Sequence, residues 1–178
     1  MSTLAVNTIT AETGNTVSVA SGKTLNASQG FTPPAGHVIQ TVTTGTIGRS
    51  TITATAWTNT TYTLSITPTS TSSKIFFQWN NHIRVSGSTE QIRGGVRVKR
   101  TIGATDTYVW NVNGSVETFQ VRNATNEHDT TGYVQVLDSP NTTNAVTYTI
   151  QAYKTTGTSI LLFESVYGGN IVLQEISG

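Results

Sequence analysis

The chain has 178 residues, the length of one compact domain with room for an appended segment. Ten Lys and Arg balance nine Asp and Glu, which excludes a basic field that would hold a nucleic-acid backbone. The absence of cysteine excludes disulfides and thiolate metal sites. Charged residues make up only 11% of the chain, while threonine alone contributes 36 residues. Because threonine is β-branched and favours strands over helices, this composition predicts an all-β protein.

The amino terminus predicts neither secretion nor membrane insertion. Met1–Val6 has neither the basic start nor the apolar block of a signal peptide. No apolar run approaches the length of a membrane helix. We therefore expect a protein that folds in a cytosol, does not insert into a membrane, and reaches the outside of a cell by lysis.

Residues 1–35 are predicted to form an extended arm. Short alternating apolar pieces are separated by turn signals around Gly14 and Gly22, and Pro33-Pro34 near the end favours an extended chain. The arm has too few apolar side chains to bury enough surface to fold alone. We therefore expect it to be anchored on another subunit or another protein. The predicted anchoring residues are Leu4, Val6, Ile9, Val17, Val19, Leu25 and Phe31.

Residues 36–178 are predicted to form an antiparallel, jelly-roll-like β-sandwich. Apolar and polar residues alternate with period two, so that Tyr62, Leu64 and Ile66 share one face of a strand. Asn113-Gly114, between two such runs, is the strongest hairpin signal. Many short strands at regular spacing are typical of a sandwich. The predicted strands are Val38–Thr44, Ser50–Ala54, Tyr62–Thr67, Lys74–Asn81, Gly95–Thr101, Thr107–Val112, Glu117–Val121, Gly132–Leu137, Ala145–Tyr153, Ser159–Phe163 and Asn170–Ile176.

Catalytic and metal-binding residues do not form a convergent set in the sequence. Only His128 neighbours acidic residues, in Glu127-His128-Asp129, which could bind a divalent ion. The polar run 123–131 around it is more typical of a solvated loop. A glycosidase would need two carboxylates facing each other across a sugar, and this chain is short for the elongated groove of such enzymes. We expect no enzymatic activity, no cofactor and no metal.

The densest charge cluster is the basic run Arg93–Arg100. Arg97 and Lys99 are expected to project from one strand face, where they could contact anionic host-surface glycans or lipopolysaccharide phosphate. Three structural roles are favoured over such a contact: a solvated strand face, an edge strand protected by charge, or ion pairs with acidic residues of a neighbouring subunit.

Two of the three tryptophans lie inside predicted strands. Trp79 and Trp110 are therefore expected in the core or in a subunit interface. Trp57 lies in the polar, loop-like segment Thr55–Thr60, where a lone aromatic ring could stack on a sugar. The candidate host-surface contacts are thus Trp57, Arg97 and Lys99.

Several stretches of the arm and of the sandwich carry a resemblance to a known family. The segments involved are 1–10, 13–19, 22–25, 36–42, 64–75 and 171–176. They resemble the opening and the recurring β domain of structural proteins from tailed bacteriophages of cyanobacteria and marine bacteria, which are mostly tail fibres or other virion proteins. The resemblance implies a homotrimer located in the virion, with other virion proteins as partners, and it brings no catalytic residues.

Two functions agree with these observations. The first is a tail fibre or adhesin, whose arm docks on the tail and whose sandwich faces a host-surface glycan. The alternative is a capsid decoration (cement) protein that braces the shell at three-fold positions. Shortness favours decoration, since a fibre normally has a shaft, whereas the likeness of the arm to fibre openings favours the adhesin. The fibre or adhesin is the hypothesis that we prefer.

Overall fold

The computed structural model describes residues 21–22, 33–45, 47–86, 91–111, 118–122, 127–156, 159–162 and 169–178. For strand residues 91–92, 121–122, 156 and 159–162 it describes the backbone only. The chain divides into two compact units, Met1–Thr32 and Pro33–Gly178. All of the architecture below belongs to the second unit. The anchoring residues predicted in the arm lie outside the described residues; they are Leu4, Val6, Ile9, Val17, Val19, Leu25 and Phe31.

Antiparallel strands make up this unit and no helix occurs in its described part, which confirms the all-β prediction. In particular, the described residues include no helix long and apolar enough to cross a membrane. Each predicted strand is present, with the largest difference at β8, and β3, β4 and β5 also extend several residues beyond their predicted bounds at one end. The strands are β1 (Val38–Thr43), β2 (Ser50–Ile52), β3 (Thr58–Ile66), β4 (Lys74–Ser86), β5 (Gln91–Ile102), β6 (Thr105–Trp110), β7 (Phe119–Arg122), β8 (Glu127–Asp138), β9 (Val146–Thr156), β10 (Ser159–Leu162) and β11 (Asn170–Ile176).

The strands form two sheets in jelly-roll order. In sheet A, β8 pairs with β4, β4 pairs with β10 and β11, and these pair with β2 and β1 respectively. In sheet B the order is β3-β9-β5, with β6 and β7 both along the far side of β5. The pairs β5–β6, β4–β8, β3–β9 and β1–β11 enclose one another along the chain, as in one long hairpin rolled into two sheets. This nested arrangement is the jelly roll.

The tip of this long hairpin is a two-residue turn between β5 and β6. Ile102 pairs with Thr105, and Gly103 between them has a φ of +57°, as the first position of a type II′ turn requires. The sequence predicted a hairpin in which β6 and β7 pair with each other across Asn113-Gly114, and this pairing is wrong. Asn113 and Gly114 themselves lie outside the described residues. The strands on either side, β6 and β7, both pair with β5, because β5 is twelve residues long and accommodates both.

Alternation along each strand places one face in the core between the sheets. Trp79, predicted for the core or an interface, is fully buried there, and Trp110 packs against the core from β6. Strand β4 in sheet A and strand β9 in sheet B contribute most of the large buried side chains. Those at most 2% exposed on β4 and β9 are Ile75, Phe77, Trp79, Ile83, Val85, Val146, Tyr148, Ile150 and Ala152.

A buried ion pair joins the two sheets at one end of the core. Arg100 on β5 donates from Nη1 to both carboxylate oxygens of Asp138 on β8, at 2.7 and 2.9 Å. The Tyr148 hydroxyl on β9 donates to the same carboxylate at 2.7 Å. Burial, and then the adjacent Asp138 carboxylate, raises the pKa of Tyr148, so the hydroxyl remains a neutral donor. Because both donors come from sheet B, they fix the end of β8 against the opposite sheet.

A second buried carboxylate fastens the loop between β3 and β4. Glu175 on β11 is fully buried and accepts a hydrogen bond from Gln40 Nε2 at 2.6 Å. It also accepts bonds from the N–H and the hydroxyl of Thr69, each at 2.7 Å. Burial by itself would raise the pKa of Glu175, but these donors together hold the pKa below its ordinary value of 4.5. The folded state therefore favours the ionised carboxylate.

Replacing Glu175 with Gln should lower the free energy of unfolding at neutral pH by about 1–3 kcal/mol, because a neutral amide is a weaker acceptor for the Thr69 donors. A lowered folded-state pKa gives stability that is present above the unfolded pKa and is lost as the pH falls through the folded value. Urea denaturation across the acidic range should therefore show a smaller pH-dependent loss in E175Q than in the wild type. Glu127→Gln, at a carboxylate that is 59% exposed, is the control. Equal pH dependence in wild type and E175Q would contradict this role.

Gly132 marks a place where β4 side chains contact the backbone of β8. A Cβ at Gly132 would lie 2.5 Å from Ile83 Cδ1 and 2.8 Å from Trp79 Cη2. Gly132→Ala should therefore cost about 1–3 kcal/mol of stability in chemical denaturation. Gly48→Ala is the matched control, because a Cβ there meets nothing within 4 Å. A loss at Gly132 no larger than at Gly48 would show that Ile83 and Trp79 shift freely.

Candidate functional site

The outer face of sheet B holds the three residues predicted to contact a host surface. Along β5, Val96 and Val98 turn into the core, and Arg97 and Lys99 lie on the opposite face, as the alternation predicts. Trp57 lies directly before β3, and its ring contacts Arg97. The fold therefore makes neighbours of residues that are far apart in the sequence.

Arg97 is enclosed between two aromatic rings. Its guanidinium carbon lies 4.4 Å from the centre of the Trp57 ring and 3.7 Å from the centre of the Tyr108 ring on β6. Trp57 also contacts Tyr153 on β9, with ring centroids 4.4 Å apart and planes inclined by 55°. We call Tyr153, Trp57, Arg97 and Tyr108, in this order, the arginine–aromatic stack. Each guanidinium–ring contact at such distances is a favourable cation–π interaction.

A row of hydrogen bonds across the sheet fixes the guanidinium of Arg97 at its edge, between the two rings. Arg97 Nε donates to Gln151 Oε1 at 2.7 Å, and Gln151 Nε2 donates to Asn59 Oδ1 at 2.7 Å. Arg97 is only 9% exposed and Gln151 only 8%. Burial lowers the pKa of Arg97, and the neighbouring Tyr108 partly offsets this. The guanidinium is thus part of the framework of the surface, and it does not project into solvent as the sequence suggested.

Lys99 is paired within its own chain. Its Nζ lies 3.0 Å from Asp106 Oδ2 on β6, and its side chain is 12% exposed. The Thr101 hydroxyl donates to the other carboxylate oxygen at 2.7 Å. These two partners, Thr101 first and then Lys99, lower the pKa of Asp106. The basic run does not protect an edge strand, because β5 lies between β9 on one side and β6 and β7 on the other.

The outward-facing part of this surface is aromatic and amide-rich. Trp57, Tyr108 and Tyr153 are each partly exposed beside Asn59 and Gln151. Aromatic rings next to fixed amide groups are suited to contacts with sugar rings. Sequence reasoning identified Trp57 but missed the two tyrosines. The sequence pattern could have identified Tyr153. Side chains alternate between the two faces of a strand, so Tyr153 lies on the same face of β9 as Gln151 and on the opposite face from the buried Ala152.

The acidic run around His128 does not form a loop. Glu127, His128 and Asp129 begin β8, and alternation turns His128 to the opposite face from the two carboxylates. Arg84 on β4 lies between those carboxylates, 3.3 Å from Glu127 and 2.8 Å from Asp129. Its hydrogen bond is the main cause that lowers the pKa of Asp129. Among the described residues, no three His, Asp or Glu side chains converge on a metal-sized site.

Of the comparisons with known proteins, only the one with solved structures found chains similar to this one. No family model and no curated protein matches the chain. The chain is similar to one in the structure of infectious bursal disease virus Gx strain, with 8% identity and a TM-score of 0.42, over 92% of this chain and 43% of that one. It is also similar to Eiger TNF from S. frugiperda, with 6% identity and a TM-score of 0.34, over 75% of this chain and 95% of that one. This chain thus spans less than half of the viral chain. The jelly-roll assignment rests on the strand pairing itself.

Tyr108 should be coupled energetically to Arg97, whose guanidinium lies over its ring. Tyr108→Ala should cost about 1–2 kcal/mol in the wild type, and about 0.5–1 kcal/mol less when Arg97 is already Met, because the cation–π contact is then absent. Urea denaturation of the four proteins completes this double-mutant cycle. Tyr153→Ala with Arg97→Met is the control cycle, since the ring of Tyr153 contacts Trp57. Additive losses for Tyr108 and Arg97 would refute the coupling.

Proposed function

We propose that this chain is a non-catalytic structural protein of a bacteriophage virion, and most specifically a homotrimeric tail fibre or adhesin. Its N-terminal arm docks on the particle and its jelly roll faces the host surface. The protein assembles in the host cytoplasm and leaves with the particle on lysis. The resemblance of the arm and of the first strands to phage structural proteins supports the virion assignment.

The arginine–aromatic stack is the observation that carries the host-facing part of this proposal. Trp57 and Tyr108 contact the Arg97 guanidinium, which Gln151 fixes, and Tyr153 contacts Trp57. These rings therefore lose little conformational freedom when a ligand binds. Lys99 is already paired with Asp106. The ligand class that this surface favours is therefore a neutral sugar, bound by contact with the aromatic rings and with the exposed amide of Asn59, in place of a phosphate bound by charge.

The pairing of charges supports a role in an assembly. Arg84 with Asp129, Lys99 with Asp106, and Arg100 with Asp138 are ion pairs between neighbouring strands or sheets of the same chain. They fix strand positions and leave little charge for colloidal repulsion. Such a surface suits a protein that is held in a particle more than one that circulates at high concentration.

A capsid decoration protein is the alternative, and one structural observation favours it. Tyr133 and Leu137 on the edge strand β8 are 57% and 55% exposed, as expected where a chain packs against neighbours in a shell.

Copy number per virion separates the two functions. Quantitative mass spectrometry of purified particles, referenced to the major capsid protein, should find at most a few dozen copies, since fibres occupy few positions of the particle. Hundreds of copies would overturn the fibre assignment in favour of cement.

The same particles allow the host-facing surface to be examined. The purified chain should slow adsorption of the phage to its host cells, and Trp57→Ala should remove this competition while the protein stays folded. Thr51→Ala, an exposed position on sheet A, is the control. If the copy number is low but the wild-type chain does not compete with the phage for adsorption, the assignment as a virion protein stands and the assignment as an adhesin is overturned.

A further inference from the structure

The exposed amide of Asn59 has one orientation, and Arg97 determines it through Gln151. A guanidinium carries donors and no acceptor, so the amide atom that meets Arg97 Nε must be an oxygen. This atom is Gln151 Oε1, at 2.7 Å. The other atom of the same amide, Gln151 Nε2, is then a donor, and it donates to Asn59 Oδ1 at 2.7 Å. The hydrogen bonds therefore run in one direction, from the buried guanidinium outwards.

The outer end of this row is a pair of N–H donors at the surface. Asn59 is exposed, whereas Gln151 is only 8% exposed. Because Oδ1 accepts from Gln151, Nδ2 of Asn59 remains for a ligand, and within the described part of the chain it donates to no other group. Turning the amide round would set Nδ2 against the donor Nε2 of Gln151 and lose the hydrogen bond. The surface thus offers a donor of fixed polarity at this point.

This donor lies beside the ring of Trp57. Asn59 is the second residue of β3, and Trp57 directly precedes the strand. Trp57 contacts Arg97, and Asn59 accepts from Gln151. Arg97 and Gln151 are themselves directly opposite each other in the pairing of β5 with β9. The ring and the donor are therefore neighbours on one face of sheet B, and a ligand that covers Trp57 brings its adjacent substituent to Asn59.

The chemistry around Asn59 narrows the group that it binds. An anion is disfavoured, because Arg97 is enclosed by rings and Lys99 is paired with Asp106, so neither offers its charge. A hydroxyl both donates and accepts, so it would bind equally well to an amide of either orientation. A carbonyl only accepts, and it therefore matches Nδ2 in particular. On a neutral sugar, such a carbonyl belongs to an acetamido substituent, whose methyl group also packs on an aromatic ring.

We propose that Asn59 is a specificity-determining residue, whose Nδ2 donates to the acetamido carbonyl of a neutral glycan stacked on Trp57. Gln151 is the positioning residue that sets the polarity of Asn59. The proposal rests on the host-facing surface proposed above, and it adds the substituent that this surface recognises. Because the donor is fixed before binding, it loses little conformational freedom when the glycan binds.

Two trisaccharides with the same glucose backbone test the substituent. Each unit of N,N′,N″-triacetylchitotriose carries an acetamido group where cellotriose carries a hydroxyl. Both are titrated into the full chain and followed in two-dimensional NMR by the indole signal of Trp57 and the side-chain amide signals of Asn59. Triacetylchitotriose should bind at least about fivefold more tightly, the effect of one hydrogen bond. Equal binding of both, with a shift at Trp57, would overturn the acetamido assignment and leave the sugar-binding surface standing. Binding of neither would overturn both.

The variant Gln151→Glu tests the positioning role. Its carboxylate still accepts from Arg97 but has no N–H for Asn59, so the Asn59 amide should turn to donate to that carboxylate and expose Oδ1. The preference for triacetylchitotriose should then fall below about twofold, whereas cellotriose, whose hydroxyls donate to Oδ1, should bind within about twofold of its wild-type affinity. Gln135→Glu, the same substitution at an exposed position of β8, should leave the preference unchanged. A preference retained in Gln151→Glu would overturn the positioning role.

The variant Asn59→Asp tests the donor without a change in the buried part of the row. Its carboxylate keeps an acceptor for Gln151 Nε2 and removes both N–H donors, and the position is exposed, so the variant should fold. The preference for triacetylchitotriose should be lost. Asn80→Asp, at an exposed position of β4, is the matched control and should keep it. Thermal denaturation verifies that all four variants fold. An undiminished preference in Asn59→Asp would overturn the role of Asn59, whatever the result with Gln151→Glu.

Discussion

Two long strands, β4 and β5, set the register on which the rest of the structure depends. β4 pairs with β8 on one side and with β10 and β11 on the other, and β5 does the same in sheet B with β9, β6 and β7. Because side chains alternate with period two, a slip of one residue in either strand would turn its core face to solvent. The buried runs on β4 and β5 make such a slip costly, and every neighbouring strand is aligned through them.

The polar groups of the protein depend on that register as much as the core does. Arg100 reaches Asp138 across the two sheets only if β5 and β8 end at matching levels. The stack around Arg97 needs Trp57 before β3, Tyr153 on β9 and Tyr108 on β6 at one height of sheet B. A buried charge without its partners is strongly destabilising, so these groups select one arrangement of the strands. The same contacts that stabilise the fold therefore make its outer face rigid.

The two surfaces with functional potential are separate and differ in chemistry. The outer face of sheet B offers aromatic rings and amides, suited to a ligand that stacks and forms hydrogen bonds. Strand β8 pairs with β4 alone among the described strands and borders a cleft of about 480 Å³ between the two sheets.

The sequence by itself determined the fold class and the position of each strand, because alternation and threonine content are local properties. It also determined that Arg97 and Lys99 share a face, since parity along one strand is enough for that. The sequence did not predict features that depend on pairing with a distant strand. Strand β8 begins at the polar Glu127 because β4 extends far enough to pair with it. Strands β6 and β7 both pair with β5 instead of forming a hairpin with each other. Only the tertiary structure buried Arg97 between two rings, paired Lys99 with Asp106 and opened the cleft beside β8. These features join residues from different strands, and the distances between strands are set by the packing of the two sheets.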